Sequence, residues 1–243
     1  ENALSYFQAQ QRAVTKEDYI IRAYSLPAKY GNIAKVHLVQ DDQLNKSTGT
    51  DELDRIVTQA DVDNKRTIKS LQVRTPNPLA MNMYTLGYDS NKKLSSLNQT
   101  VKENLKTYLS QYRLVTDAVN IKDAYVINIA VNFAILTKSE FAKNDVLLRC
   151  VAAIKDFFDI DRWQIGQPIV LSDIAYELSL VDGVASVVPP VNSDTVIQIE
   201  NKYKAGQGYS GNFYDIKNSL IDGVLYPALD PSIFEIKYPN ADI

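Results

Sequence analysis

The stretch Tyr125-Val-Ile-Asn-Ile-Ala-Val-Asn-Phe-Ala-Ile-Leu-Thr137 decides the fold, because it holds the longest strand pattern in the chain. Its larger apolar side chains recur at every second position, with smaller or polar ones between them. Successive side chains of a β-strand point to opposite faces, so this alternation produces one aliphatic face. We therefore expect a central strand with helices packed against that face.

Two capping-box patterns mark helix starts before this strand. In such a box, a Ser or Thr side chain caps a backbone amide three positions on, and an acidic residue or Gln at that position caps the first residue in return. Thr15 with Asp18 predicts a helix within residues 1–32, and Ser96 with Gln99 predicts a second one. Both segments then carry apolar residues at the helical spacing of three and four.

A third capping box, Thr137 with Glu140, predicts a helix over residues 137–159 that is apolar nearly all round. A helix without a broad polar face is covered on two sides, by its own domain and by something else. We therefore expect its outer side, with Leu148 and Ala152, to contact another protein.

Shorter strand patterns surround these helices. The stretch 33–40 alternates so that Lys35 and His37 are expected to face solvent, which is typical of a half-buried strand. Ser172 is expected to start a shorter helix that ends at Asp182-Gly183, where glycine suits a left-handed stop. The remaining strand patterns lie at 79–88, 184–188, 195–200 and 233–238.

This order of elements predicts an α+β fold, a mixed sheet with helices packed on it and long loop excursions. We divide the chain into an N-terminal helical segment (1–32), an α+β core domain (33–190) and a C-terminal extension (191–243) rich in aromatic residues and glycine. Residues 41–75 are polar and charged with few apolar anchors, so we expect a mobile insertion there. The chain begins at Glu1 without a signal-peptide pattern, and we expect it to be a piece of a longer protein.

Composition excludes several classes of function. The net charge of −3 among 243 residues is too small for a nucleic-acid coat, and no apolar run is long enough to span a membrane. The single cysteine, Cys150, cannot form an intramolecular disulfide and is expected to be buried in its helix, and the single histidine, His37, offers no metal-ligand pair. We expect no catalytic site, metal or cofactor, and a reducing cytoplasm as the place of assembly.

The strongest sign of another function is Gly206-Gln-Gly-Tyr-Ser-Gly211, which matches the dinucleotide-binding pattern G-x-G-x-x-G. It would make the chain a nucleotide-binding enzyme or sensor domain, with residues 213–225 as the helix whose start binds the phosphates. Five residues separate the preceding strand from Gly206, and only 32 residues follow Gly211, too few for the rest of such a domain. We prefer a flexible glycine loop and keep nucleotide binding as the alternative.

Aromatic residues gather around this loop, in a chain with 15 tyrosines and seven phenylalanines. Amphipathic aromatic side chains are favoured at protein contacts, because they bury a large area and keep a polar tip. The same residues could instead pack against their own domain, and the sequence leaves both interpretations open. The residues concerned are Tyr203, Tyr209, Phe213, Tyr214 and Tyr226.

Two parts of the chain resemble a known family. The first is Arg12-Ala-Val-Thr-Lys-Glu-Asp-Tyr19 with the strand Ile33-Ala-Lys-Val-His-Leu-Val39; the second is 153–187, with Ile165-Gly-Gln, Ser172-Asp-Ile and Val181-Asp-Gly-Val184. They resemble the entry helix and strand, and the later helix closing on V-x-G-V, of the baseplate J-like proteins of contractile-tailed phages. Within that family, the similarity is to the C-terminal part of a baseplate wedge protein.

The resemblance implies a structural subunit of a phage tail baseplate rather than an enzyme. Such subunits associate with copies of themselves and with other baseplate wedge proteins in a ring around the tail hub. Independently of the resemblance, the apolar surface of the helix over 137–159 predicts at least a dimer. The resemblance further implies a place in the virion after assembly in the host cytoplasm, with no nucleic-acid or membrane partner. None of the resembling motifs is catalytic.

Overall fold

A computed structural model describes residues 12–40, 57–58, 80–114, 117–191, 195–228 and 230–243, which form two compact units. Unit 1 comprises the described residues up to Tyr125, without Val57 and Thr58 but with Asp230 and Pro231; unit 2 comprises Val57, Thr58 and the described residues of 126–228 and 232–243. The predicted division at residues 32 and 190 differs from this one and stays a prediction. The predicted insertion 41–75 lies outside the described residues, except for Val57 and Thr58.

The described helices and strands alternate irregularly along the chain. The helices are α1 (Lys16–Tyr24), α2 (Gln99–Ser110), α3 (Lys143–Phe157), α4 (Leu171–Leu180) and α5 (Ile216–Ser219). The strands are β1 (Lys35–Gln40), β2 (Val57–Thr58), β3 (Ala80–Tyr88), β4 (Leu94–Ser95), β5 (Ala118–Asp123), β6 (Tyr125–Thr137), β7 (Ile169–Val170), β8 (Val184–Val188), β9 (Ile197–Asn201), β10 (Asn212–Phe213), β11 (Leu220–Ile221), β12 (Val224–Leu225) and β13 (Ser232–Glu235).

Helix α1 of unit 1 starts with the predicted capping box. The amide of Asp18 donates to Oγ1 of Thr15 at 3.2 Å, and the amide of Thr15 donates to Oδ2 of Asp18 at 2.9 Å. These backbone hydrogen bonds, with one from Val14, hold the pKa of the Asp18 carboxyl below its ordinary value. Local sequence alone therefore predicts this helix start correctly.

The sheet of unit 1 has β3 at its centre, antiparallel to β1 and β4 and parallel to β5. Helices α1 and α2 pack with this sheet around a core that includes Tyr19, Met83 and Leu105. The predicted exposure of Lys35 is wrong, because Lys35 is buried, while His37 is half-buried. Both faces of β1 are covered by residues distant in sequence, which an alternation pattern cannot show.

Two further predictions in unit 1 need correction. Helix α2 is capped by Asn98, whose Oδ1 accepts from the amide of Thr100 at 3.2 Å, and not by Ser96. Ser96 cannot be the cap because the helix begins only at Gln99, and the amide of Leu97 is held by Oδ1 of Asp123. Strand β5 is absent from the sequence prediction, since its residues alternate weakly and it forms only beside β3.

Strand β6 is the long central strand that the sequence predicts. It pairs antiparallel with β8 and β9 and is the neighbour of β13. Within unit 2, Ile127, Ile129 and Val131 are fully buried. Strands β7, β11 and β12 form a second small sheet, and β2 pairs with β10.

Helices α3 and α4 pack on each other beside β8 and β9. The start of α3 differs from the prediction: Thr137 still belongs to β6, so it cannot cap, and Ala142 precedes the helix without a side-chain cap. The predicted stop of α4 is confirmed, since Gly183 adopts a φ of 97°, a conformation that favours glycine. Separate, mainly antiparallel sheets with packed helices confirm the α+β class.

Candidate protein interface

The residues predicted to contact other proteins all lie in unit 2. Two of them, Leu148 and Ala152, are on α3, and the other five are the aromatic residues of the C-terminal part. The structure places these two groups in different surroundings.

Helix α3 has one buried side and one exposed side. Val146, Cys150 and Ile154, spaced four apart, are buried in unit 2. On the other side, 68% of Leu148 is exposed, and Ala152, one turn later, is also exposed. The helix is therefore covered by its own unit on one side only, and its outer side keeps apolar residues in solvent.

Helix α4, packed on α3, adds exposed apolar residues that the sequence analysis missed. Tyr176 is 62% exposed and Leu180 is 61% exposed, whereas Ile174 and Leu178 point inward and are buried. The sequence could have shown this, because Ile174 and Leu178, four residues apart, mark the inward face and leave Tyr176 and Leu180 on the opposite one. Exposed Leu147 on α3 completes the set. We call Leu147, Leu148, Ala152, Tyr176 and Leu180 the outer residues of α3 and α4.

Tyr209 is anchored within unit 2. Its hydroxyl donates to Oδ1 of Asp242 at 2.7 Å, and its ring meets that of Tyr238 edge to face at 5.4 Å. Burial, and then the hydrogen bond to Asp242, raises the pKa of Tyr209 to about 12. Tyr203 and Phe213 form another edge-to-face pair at 5.1 Å, and both are half-buried.

Tyr214 and Tyr226 differ sharply in exposure. Tyr214 is buried; its hydroxyl donates to the carbonyl oxygen of Tyr226 at 2.7 Å, and its ring lies 6.0 Å from that of Phe234. The side chain of Tyr226 is 49% exposed. Tyr214 therefore packs against its own unit and has little area left for a partner. The contact role of the other predicted residues stays a prediction.

The glycine loop does not have the surroundings of a dinucleotide site. Gly211 is followed by the two residues of β10 and then by α5, which has only four residues, so the helix predicted over 213–225 does not form. The amide of Ser210 donates to Oδ1 of Asn128 at 2.7 Å, so this amide is already bonded within the protein. Gly208 has a φ of 88°, and a Cβ there would collide with the hydroxyl of Tyr238. Gly208 is therefore explained by its left-handed backbone and its close approach to Tyr238.

Asn128 holds this loop from inside unit 2, a role that the sequence analysis missed. Its Nδ2 donates to Oε2 of the buried Glu235 at 3.0 Å, and its carbonyl oxygen accepts from the amide of Lys202 at 2.8 Å. Asn128 is fully buried, so its side-chain amide needs both of its partners: Nδ2 donates to Glu235, and Oδ1 accepts from the amide of Ser210. An asparagine within a strongly apolar strand was the available signal.

The single cysteine, Cys150, is buried, and the single histidine, His37, is half-buried. Burial raises the pKa of the Cys150 thiol and lowers that of half-buried His37, where the charge of Lys16 acts in the same direction. Among the described residues, no group of three His, Cys, Asp or Glu side chains could hold a metal ion. No helix in the described part has both the length and the apolar character of a membrane span.

Comparison with known proteins identifies a structural neighbour. Neither a protein-family model nor a curated protein sequence matches this chain. Its fold is similar to that of a chain in the cryo-EM structure of the anti-feeding prophage (AFP) baseplate, 6-fold symmetrised, with a TM-score of 0.52 and 12% sequence identity. The similarity covers 96% of this chain and 40% of the baseplate chain. This chain therefore has a fold found in a prophage baseplate chain, and it spans less than half of the chain that it matches.

Proposed function

We propose that this protein is a non-enzymatic structural subunit of a contractile-tail baseplate. The observation that carries the proposal is the fold similarity to a baseplate chain over 96% of this chain's length. The exposed outer residues of α3 and α4 support it, because a subunit in an assembly needs apolar surface that is left uncovered in the isolated chain.

The finer assignment is to the baseplate J-like family of phages, close to the C-terminal part of the T-even wedge protein called gene product six. The two resembling stretches, 12–39 and 153–187, support this assignment. In this role the chain associates with copies of itself and with other wedge proteins in a ring, and the ring is part of the virion tail after assembly in the host cytoplasm.

The proposed contact surface consists of the outer residues of α3 and α4 together with exposed Tyr226. Leu148 is its best anchor, because it is the most exposed of the large apolar residues on the two helices. A leucine of this exposure loses contact with water only when a partner covers it. We also propose that Tyr203, Tyr209 and Phe213 contact a partner, but these residues are half-buried and offer smaller areas.

Localisation tests the baseplate role directly. Antibodies raised against the chain should label the baseplate end of contractile tail particles from the source of this sequence. Labelling along the tail tube, or no label on intact tails and on dissociated baseplates alike, would contradict the proposal.

Self-association tests the surface. We expect the chain to be at least dimeric at micromolar concentration and Leu148→Asp to weaken that association by roughly tenfold or more, because the variant places a charge in a desolvated contact. Val191→Asp is the matched control: it puts the same charge at an apolar residue elsewhere in unit 2 that is 89% exposed. Sedimentation equilibrium measures the mass of the wild-type chain and of each variant, and circular dichroism checks that both variants are folded. A wild-type chain that stays monomeric would refute self-association.

A further inference from the structure

A cleft of about 530 Å³ lies in unit 2 between the end of α3 and the start of α4. This volume is within the range of pockets that hold a ligand or several side chains of a partner. Its charged and aromatic lining residues come from α3, the loop after it and α4: Asp156, Phe157, Arg162, Trp163, Asp173 and Glu177.

The lining of the cleft is negatively charged. Three carboxylates, on Asp156, Asp173 and Glu177, face one guanidinium, on Arg162. None of these four residues forms a side-chain ion pair with another described residue. The carboxylates are therefore not neutralised by close ion pairs, and the cleft favours a cation.

Helix stability explains the position of Asp173 but not those of Asp156 and Glu177. Asp156 lies in the last turn of α3, next to the negative end of the helix dipole, where a carboxylate is unfavourable. Asp173 suits the first turn of α4, but Glu177 follows it at a spacing of four, where like charges repel. Departures from local preference of this kind are expected at functional sites, where binding compensates for them.

The wall of the cleft is aromatic. The rings of Phe157 and Trp163 lie 5.8 Å apart, and Trp163 is only 5% exposed. The indole Nε1–H of Trp163 is buried and has no hydrogen-bond acceptor among the described residues, which is uncommon for a buried tryptophan. Half-buried Phe157 is the ring of this pair that a bound group can reach.

The cleft continues the proposed contact surface. Leu148, Ala152 and Asp156 follow one another at a spacing of four, so they lie along one side of α3. On α4, Tyr176 and Leu180 stand three positions after Asp173 and Glu177 respectively, which places carboxylates and exposed apolar residues on the same face. A protein partner seated on the outer residues therefore reaches the cleft.

We propose that this cleft binds an arginine side chain carried by a segment of a neighbouring protein subunit. Arginine matches the lining because its planar guanidinium forms paired hydrogen bonds with carboxylates and stacks on aromatic rings at the same time. The proposal rests on the proposed function, since it names the partner chemistry of the same surface. The occupant is a protein segment rather than a free cation, because the apolar outer residues adjoin the cleft.

Trp163 is the only tryptophan in the chain, so its fluorescence reports on this cleft alone. The full chain is applied to an array of short random peptides, each made with a central arginine and again with a central citrulline, the neutral analogue of arginine. The arginine peptide that binds best, and its citrulline counterpart of the same sequence, are then each titrated into the protein in solution, and binding is followed by the fluorescence emission of Trp163. We expect arginine peptides to bind, and we expect replacement of arginine by citrulline to lower their affinity by roughly tenfold or more. Equal binding of the two forms, or no binding arginine peptide, would overturn the proposal.

Substitutions in the cleft give a test with opposite signs. Asp173→Asn combined with Glu177→Gln should lower the affinity for the best arginine peptide by roughly tenfold or more. Arg162→Gln should raise that affinity, because a competing cation is removed. Glu140→Gln combined with Asp145→Asn is the matched control, since it removes two exposed carboxylates of unit 2 that do not line the cleft. Weaker binding in Arg162→Gln would show that Arg162 holds the peptide rather than competes with its arginine, and would overturn the proposal.

The two proposals can fail separately. Leu148→Asp should reduce association between subunits and leave the peptide titration of Trp163 unchanged, because Leu148 is outside the cleft. Absence of the chain from baseplates, with peptide binding intact, would refute the proposed function and leave the arginine site standing. Presence in baseplates without any preference for arginine would refute the site alone.

Discussion

The hydroxyl of Tyr209 donates a 2.7 Å hydrogen bond to Oδ1 of Asp242 and so ties the glycine loop to the C-terminal residues of unit 2. The other carboxylate oxygen of Asp242 accepts from the amide of Tyr238 at 2.9 Å, and its carbonyl oxygen accepts from the amide of Val131 at 2.7 Å. Asp242 is buried, with 2% of its surface exposed. The carboxylate therefore depends on the Tyr209 hydroxyl and the Tyr238 amide in place of water.

Tyr209→Phe should lower the free energy of unfolding by about 1 to 2 kcal/mol, because a hydrogen bond to a charged acceptor is lost while Asp242 stays buried. Chemical denaturation measures the change. Tyr226→Phe is the control, since its ring is largely exposed, and it should leave stability nearly unchanged. Equal stability of both variants would show that Asp242 finds another donor.

Tyr214→Ala should cost about 3 to 5 kcal/mol, because it removes a buried ring and leaves a cavity. Tyr226→Ala, only 12 residues along the chain, should change stability by less than about 0.5 kcal/mol, as exposed substitutions usually do. Thermal unfolding followed by circular dichroism distinguishes the two. A stable Tyr214→Ala variant would place this tyrosine outside the core.

Ile129→Ala should destabilise unit 2 by about 2 to 5 kcal/mol, since Ile129 is fully buried in the central strand. Leu136→Ala removes similar apolar volume near the other end of the same strand, where the side chain is 56% exposed, and should cost much less. The comparison by denaturant titration separates burial from strand propensity. Similar losses in the two variants would show that burial does not distinguish these two positions.

We expect the stability of the fold to depend on pH through its single histidine, His37. Burial lowers the pKa of His37 in the folded protein below the ordinary value of 6.5. As the pH falls, His37 therefore takes up a proton in the unfolded chain before it does so in the folded protein. The contribution of neutral His37 to the free energy of unfolding is complete above about pH 6.5 and is lost as the pH falls through the lower pKa of the folded protein. Proton NMR of the one imidazole should show the lowered pKa, and His37→Gln should flatten the stability profile below pH 6.5. An imidazole that titrates at or above 6.5 would refute this.

Features set by short-range geometry follow from the sequence alone. The capping box of Thr15 and Asp18, the strand ending at Thr137 and the left-handed stop at Gly183 each depend on neighbouring residues, so the pattern predicts them. The α+β class follows from the order of such elements. The inward side of α3 follows as well, because Val146, Cys150 and Ile154 recur at the helical period.

Only the tertiary structure decided the features that depend on distant residues. Strand β5 exists because β3 lies beside it, and Lys35 is buried because other parts of unit 1 cover both faces of β1. Tyr214 and Tyr226 look alike in sequence, yet packing against Phe234 buries one ring and leaves the other in solvent. The cleft brings Asp156 and Asp173 together from two helices, and no spacing along a chain specifies which helix ends meet; the packing of α3 on α4 does.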